Sequence, residues 1–358
     1  MPVRMKDIAE DLGLSVVTIS KVLRNHPDIA EETRHRVLQR MKEVDYRPNT
    51  MARSLVTGRS YLVGLVVPDL LHPFFAELAK VISAAVGKRG YSIIISSSEE
   101  DPAMEVREIE QLMDRSLDAL IVASSGSDIG PFSRLDRQGV PYVLIDRELA
   151  GLSANFVGTN DETVGRLATE HLIDQGCKRI AHIRGRENST GERRFEGYKR
   201  ALQRNSIPYV DSLVVARSSV DINSEKMGAE AMRLLLERRP IPDGIFAYND
   251  PLAIGAMEAI LEAGLRIPED IAVIGCGNLH YDRLLRVPLS SVDQDSQGMG
   301  DRTAEIVLTL LESKIRPQAR SIILEPSLVL RDSSMRTTGR RSAARRSKPA
   351  NSKRTGRT

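Results

Sequence analysis

Residues 61–68, YLVGLVVP, are the stretch on which the fold turns. Five aliphatic side chains crowd into it with no polar residue among them. A strand with one wet face alternates apolar and polar positions. A continuous Val/Leu run is instead buried on both faces, as in a parallel sheet covered by helices. The signature returns in YSIIIS (91–96), DALIVAS (118–124) and PYVLID (141–146). After NFVGT (155–159) it recurs in RIAHIRG (179–185), SLVVAR (212–217), GIFAYN (244–249) and IAVIGCG (271–277). Helix-like stretches separate these runs. The pattern predicts two sets of about four to five strands, each large enough for its own doubly wound sheet, joined near Asn155–Asn160. SSVDQD (290–295), a helix around Met299–Lys314 and SIILEPSLVLR (321–331) have no set of their own, so they are expected to return and complete the two sheets. On this reading one lobe holds about 61–156 and 292–320, the other about 157–289 and 321–332.

Ligands of open α/β sheets bind beyond the carboxyl ends of the strands, so the residues just after each run carry the functional reading. They are DLLHPFFAEL after the first, Asp146-Arg147, RGRENSTGERRFEGY, Asn249-Asp250, Cys276-Gly277-Asn278 and Asp293-Gln294. Any one is ordinary; Asp250 is most economically the N-cap of its helix. Six polar or aromatic strand ends in register are hard to explain as packing.

The first 47 residues read differently, as three short helices. Met5–Leu12 is amphipathic, Gly13 ends it, and Ser15 can cap the next helix, Val16–Arg24. Residues 30–46 carry Val37, Met41 and Val44 at helical spacing. Two short helices joined by LGLS make a helix-turn-helix pattern, which small packed bundles share. NTMARSLVTGRS (49–60) has too little apolar surface to be a stable helix alone.

Charge sharpens the division. Net charge is +3 overall. Residues 1–60 hold 11 basic and 8 acidic residues, 333–358 hold 9 basic and none acidic, and 61–332 hold 31 basic against 40 acidic. Basic ends on an acidic body point to a polyanion partner at the ends. Residues 333–358 are nearly devoid of apolar side chains and are expected to be a disordered basic tail, either simply solvated or adding non-specific affinity for that polyanion. No apolar run approaches a membrane span, and MPVRMKDIAEDLG has no export signal, so a cytoplasmic protein is expected. Cys177 and Cys276 lack metal-ligand spacing and read as buried thiols in a reducing compartment.

The string from Met5 to Leu55 resembles the DNA-binding headpiece of the lactose-repressor/galactose-repressor family. The matching motifs are DIAEDLGLS, TISKVL, the Thr33–Val37 T-R-x-x-V, DYRPN and ARSL, in order. Residues 60–332 resemble the effector domain of that family and the related periplasmic sugar-binding proteins. The resemblance implies a small all-α helix-turn-helix headpiece (1–48), a hinge helix (49–58), and an α/β two-lobed periplasmic-binding-protein-like effector and dimerisation domain of type I (59–332) with two doubly wound parallel sheets. It makes Val16–Arg24 a recognition helix in the major groove. Ser15, Thr18, Ser20 and Asn25 would contact phosphates, Lys21 a guanine edge, and Val16 and Val17 thymine methyls. The valines could alternatively cover the first helix as local core. The hinge would carry Asn49, Ala52, Arg53 and Leu55 to the minor groove, Leu55 as a wedge unless it packs on the body.

In the effector domain the closest likeness is to ribose-binding proteins. Phe74 and Phe75 match aromatics that sandwich a sugar ring. Asp146, Arg147, Arg194, Asn249 and Gln294 match hydroxyl ligands, a combination suited to a polyol. His72 stands where asparagine is usual. Gly277 stands where aspartate is common, with Asn278 as a substitute. The function implied is a regulator, a repressor, binding near-palindromic operator DNA as a homodimer and sensing a small molecule, expected to be a sugar. No cofactor or metal is expected. No GxGxxG turn or P-loop occurs, and no histidine has a motif partner, which argues against an enzyme. An exported sugar-binding protein would suit the body alone; the headpiece and the missing signal argue against it.

Overall fold

The computed structural model describes residues 3–23, 26–46, 58–217, 219–313 and 315–336. Two compact units result, Met1–Tyr61 and Leu62–Thr358. In the small unit, α1 (Met5–Leu12), α2 (Val16–Leu23) and α3 (Glu31–Glu43) close around Ile8, Ala9, Ile19, Val22, Val37 and Met41. Gly13 ends α1 at φ 63°, and its N–H reaches back to the carbonyls of Ala9 and Glu10. Ser15 opens α2, its Oγ accepting the amide of Thr18 at 3.0 Å.

In the large unit strands and helices alternate. β1 (Leu62–Val67), α4 (Pro73–Gly87), β2 (Ser92–Ser97), α5 (Pro102–Asp114), β3 (Ala119–Val122), α6 (Gly130–Gln138), β4 (Tyr142–Ile145) and β5 (Asn155–Thr159) come first. Then follow α7 (Asp161–Asp174), β6 (Ile180–Arg184), α8 (Ser189–Arg204), β7 (Val214–Ala216), α9 (Ser224–Glu237), β8 (Gly244–Ala247), α10 (Asp250–Glu262) and β9 (Ala272–Cys276). β10 (Ser290–Asp293), α11 (Ser296–Glu312), β11 (Ser321–Leu324) and β12 (Ser327–Val329) complete it. The first sheet runs β11-β5-β4-β3-β1-β2 and the second β12-β10-β9-β8-β6-β7. All pairings are parallel except β10 with β12, so the expected pair of parallel sheets carries one antiparallel edge. Strand order reverses at β1 in the first sheet and at β6 in the second. Both reversals aim their carboxyl-end loops into the cleft between the lobes.

Three expected boundaries move. β5 lies whole in the first sheet, Val143 pairing with Asn155 and Ile145 with Val157, so a lobe break at 156/157 would split a ladder. β10 lies whole in the second sheet, and the crossing follows Asp293. Ser321–Leu324 pairs with β5 in the first lobe, whereas β12 returns to the second. Runs as alike as SIIL and SLV do not reveal which sheet receives them; the two residues between them, Glu325 and Pro326, carry the chain across. Residues 333–336, expected to belong to the disordered tail, are instead part of the folded unit. Ser333 and Ser334 are fully buried, because their hydroxyls and backbone satisfy polar groups deep in the second lobe. Ser333 Oγ donates to the Val273 carbonyl at 2.7 Å, and Ser334 Oγ meets Ser290 Oγ and His171 Nε2, each at 2.7 Å. Residues 337–358 lie outside the described residues.

The three crossings are tied together. Asn160 N–H donates to the Leu324 carbonyl at 2.8 Å and its side-chain amide to Glu325 at 3.0 Å. Thr159 Oγ1 donates to the Gln294 carbonyl at 3.1 Å.

Candidate functional site

The small unit presents α2 with its apolar seam inward: Ile19 and Val22 are buried. Val16 and Val17 are 43% and 62% exposed, so they are not the local core that would have been the alternative. Thr18 Oγ1 meets Ser15 Oγ at 2.9 Å, and Lys21 Nζ pairs with Asp28 at 2.6 Å, which holds the ammonium beside the helix. Ser20 lies part-exposed on the same helix. Asn25, Asn49, Ala52, Arg53 and Leu55 lie outside the described residues.

Between the lobes, strand ends of both sheets converge on a small cavity of about 20 Å³, room for roughly one water molecule. The first lobe contributes His72, Phe74, Phe75 and Asp146; the second contributes Arg194, Asp221, Tyr248 and Asn249, and Gln294 stands at a crossing. α4 starts at Pro73 and so brings both phenylalanines of its first turn to the cleft, ring centroids 5.2 Å apart. Asp146 leaves β4 at φ 62°, a turn that points its carboxylate inward. Burial pushes its pKa up, against the pull of Arg147 and Arg194. Arg147 is not in the wall but fully buried behind it, its guanidinium 6.0 Å from the Phe75 ring centre and ion-paired across the cleft to Asp221. Burial is the largest single influence on Asp221 and would raise it, but Arg147, His72 and Arg194 together outweigh burial and hold that carboxyl below its ordinary value.

Arg194 is set by a close helix pair. A Cβ on Gly165 of α7 would stand 1.9 Å from the Arg194 carbonyl, so only glycine lets α8 approach. From there Arg194 Nε donates to Asp161 at 2.8 Å, Nη1 to the Tyr248 carbonyl at 2.7 Å and Nη2 to Gln294 Oε1 at 2.6 Å. Burial, opposed by Arg194, brings Asp161 to about 7. Asn249 caps α10, accepting the Leu252 amide at 2.9 Å, and approaches His72 Nε2 at 3.2 Å across the cleft.

Two sequence expectations are corrected here. Asn278 is absent from the wall. At φ 51° its side chain turns to Asp293 and Arg331, at 2.9 and 2.6 Å, and it does not substitute for an acid at Gly277. Asp250 is not the cap of α10. It is the first helical residue, fully buried, and accepts from Ser291 Oγ at 2.7 and 2.9 Å. Its carboxylate sits 2.9 Å from where a Gly277 Cβ would stand, which is a physical reason for glycine there. Asp221, Tyr248, Cys276, Gly277 and Leu279 also line the cavity. Asp221 is not among the expected residues because it comes five residues after β7, whose carboxyl end, like those of β2, β3 and β5, carries no sequence signal that singles it out. Both cysteines are free and buried. Among the described residues no His/Cys/Asp/Glu group could hold a metal, and no helix is long and apolar enough to cross a membrane.

Comparison with known proteins bears on both units. Residues 4–49 match the model of bacterial regulatory proteins of the lacI family, and residues 169–334 that of a periplasmic binding protein-like domain. The ribose operon repressor of Halalkalibacterium halodurans is 32% identical over 311 residues, 87% of this chain and 91% of that protein. The chain belongs to the lacI family. This lacI-family protein is a DNA-binding transcriptional regulator, and its family is one of regulators, not enzymes. The transcriptional repressor PurR of Haemophilus influenzae is 30% identical over 335 residues, covering 92% of the lacI-family chain and 98% of PurR. The solved transcriptional regulator CelR–cellobiose complex superposes with a TM-score of 0.70 at 28% identity, over 92% of this chain and 99% of that one.

Proposed function

We propose that this regulator is a repressor that binds a near-palindromic operator as a homodimer in the cytoplasm and senses a sugar in the interlobe cavity. The observation that carries the sensing half is the cavity itself. Flat faces of Phe74, Phe75 and Tyr248 surround carboxylate, amide and imidazole groups from both lobes, the mixture that a polyol requires. The ribose operon repressor and the CelR–cellobiose complex among its relatives support a carbohydrate effector. Asp146, Asn249, Gln294 and His72 would bond hydroxyls, with Arg194 beside them in the wall and Arg147 behind it. A polyol larger than water has to part the lobes and then be gripped by both, so its binding free energy is linked to the lobe angle.

The DNA half rests on the exposed first turn of α2. Val16 and Val17 would meet base edges, with Ser15, Thr18, Ser20, Lys21 and Asn25 setting register, and Asn49, Ala52, Arg53 and Leu55 reaching the minor groove. A second copy has an apolar face to bury: Leu70, Ala76, Ala79 and Ile95 line a groove of about 360 Å³ along α4 and β2, with Leu71 88% exposed beside it.

Gel-shift titration of a selected operator, with and without a panel of pentoses, hexoses and disaccharides, tests the reading. At least one sugar is expected to change operator affinity about 5- to 150-fold, and replacing the thymines under Val16 and Val17 by uracil is expected to weaken binding. Operator affinity indifferent to every sugar would remove the sensing half. Affinity indifferent to uracil would remove the apolar readout.

A further inference from the structure

The cations of the cavity are already taken. Arg194 commits all three guanidinium nitrogens, to Asp161, the Tyr248 carbonyl and Gln294. Arg147 donates to the Ser124 carbonyl at 3.3 Å and is ion-paired to Asp221. Its Nε, buried without a hydrogen-bond partner, stands 3.6 Å from Asp146 Oδ2. Among the described residues no donor hydrogen-bonds the Asp146 carboxylate, although Asp146 is only 6% exposed and lines the cavity. His72 Nδ1 is likewise buried with no partner. Three carboxylates, Asp146, Asp161 and Asp221, thus stand around two guanidinium groups.

Asp221 is held there by construction. Ser219 Oγ donates to Glu100 of the opposite lobe at 2.5 Å. The buried Val220 amide approaches the same carboxylate at 3.4 Å, and its carbonyl accepts from Asn249 Nδ2 at 2.8 Å and Ser224 Oγ at 2.5 Å. The segment 219–221 is therefore clamped from both lobes, and its acid seated on Arg147.

We propose that Asp221 sets the charge of the effector: as the resident counter-ion of Arg147 it excludes sugar phosphates, uronates and other acidic ligands, and it admits polyols that are neutral or carry an ammonium group. This rests on reading the cavity as a polyol site. The physical reason is desolvation. A further anion would enter a low-dielectric space with no uncommitted guanidinium among the described residues and with the Asp146 carboxylate already lacking a donor, whereas hydroxyl or ammonium donors would satisfy Asp146.

The test is thermal shift and calorimetry of the intact protein with matched probes: ribose, glucose and glucosamine against ribose 5-phosphate, glucose 6-phosphate and glucuronate. Wild type is expected to respond only to members of the first group. Asp221→Asn frees Arg147, and the preference for neutral over acidic probes is expected to fall about tenfold or more. Asp221→Glu keeps the charge and should keep the exclusion. An acidic probe that binds wild type as well as its neutral parent overturns the proposal, and so does a folded Asp221→Asn with unchanged discrimination. The wild-type comparison decides the matter even if Asp221→Asn does not fold. If no probe of either group binds, the polyol reading itself falls and this proposal with it.

Discussion

Asp282 and Asp250 form a buried acid pair behind the Gly277 wall, both fully inaccessible to solvent. Ser291 Oγ and the Leu279 amide serve Asp250, whereas the nearest cation to Asp282 is Arg331, 4.0 Å away. Burial, and next the charge of Asp250, push Asp282 up to about 9. At neutral pH the folded pair therefore keeps a proton that the unfolded chain has released. Stability from this source is present at low pH and is lost as pH rises from the ordinary carboxylate range, about 4, to about 9. Asp282→Asn, which needs no proton, is expected to flatten the pH dependence and to melt higher than wild type on the alkaline side. Melting curves at pH 5, 7 and 9 that stay parallel would refute this. Single residues were also where sequence reading was least even. Phe74, Asp146, Arg194 and Asn249 were legible because each lies in a segment that follows a strand and matches a residue of the family it resembles. Asp221 was not, since it lies at the end of an irregular loop. Asn278 sat in the right place, but its left-handed backbone, φ 51°, aims the amide elsewhere.

Elements were legible where composition decides them and obscure where only a partner does. Largely apolar runs announced the interior strands β1, β3, β4, β6, β8 and β9, and the edge strands β2 and β7 as well. β11 and β12 are short and half-exposed, so their assignment depended on pairing that no local pattern encodes. Helix pairing in the second lobe was hidden for another reason: it uses absent side chains. A Cβ on Gly165 or Gly197 would strike the backbone of the other helix of the α7–α8 pair at 1.9 and 2.1 Å. In α9–α10, Gly228 and Gly255 would do the same to the carbonyls of Leu252 and Glu225, at 2.0 and 1.8 Å. Because those atoms are backbone, the helices themselves must separate. Gly255→Ala is expected to cost about 1–3 kcal/mol despite alanine's better helix propensity. Urea unfolding gives the value; a stabilised variant would mean that propensity outweighs the contact.

At the scale of the whole molecule, the large unit is two lobes that share three crossings, fastened by Thr159 and Asn160 to Gln294, Leu324 and Glu325. The two-lobe plan was readable from two sets of buried runs, but the fastening was not, since it depends on three distant segments meeting. The same arrangement constrains the order in which the protein can be made. α11 covers the first lobe against α4, β4 and β5, burying Met299, Ala304, Ile306, Val307 and Leu310. Yet it leaves the ribosome only after strands β6 to β10 of the second lobe have been synthesised. Until residues 296–324 appear, the first lobe has an unpaired edge at β5 and an uncovered apolar face, the surfaces through which nascent chains associate. A chain stopped at Asp293 is expected to be insoluble although it contains all ten strands that precede α11. Sedimentation of such a truncation as a soluble monomer would contradict this. The first lobe is thus completed only late in translation, when residues 296–324 return to cover it.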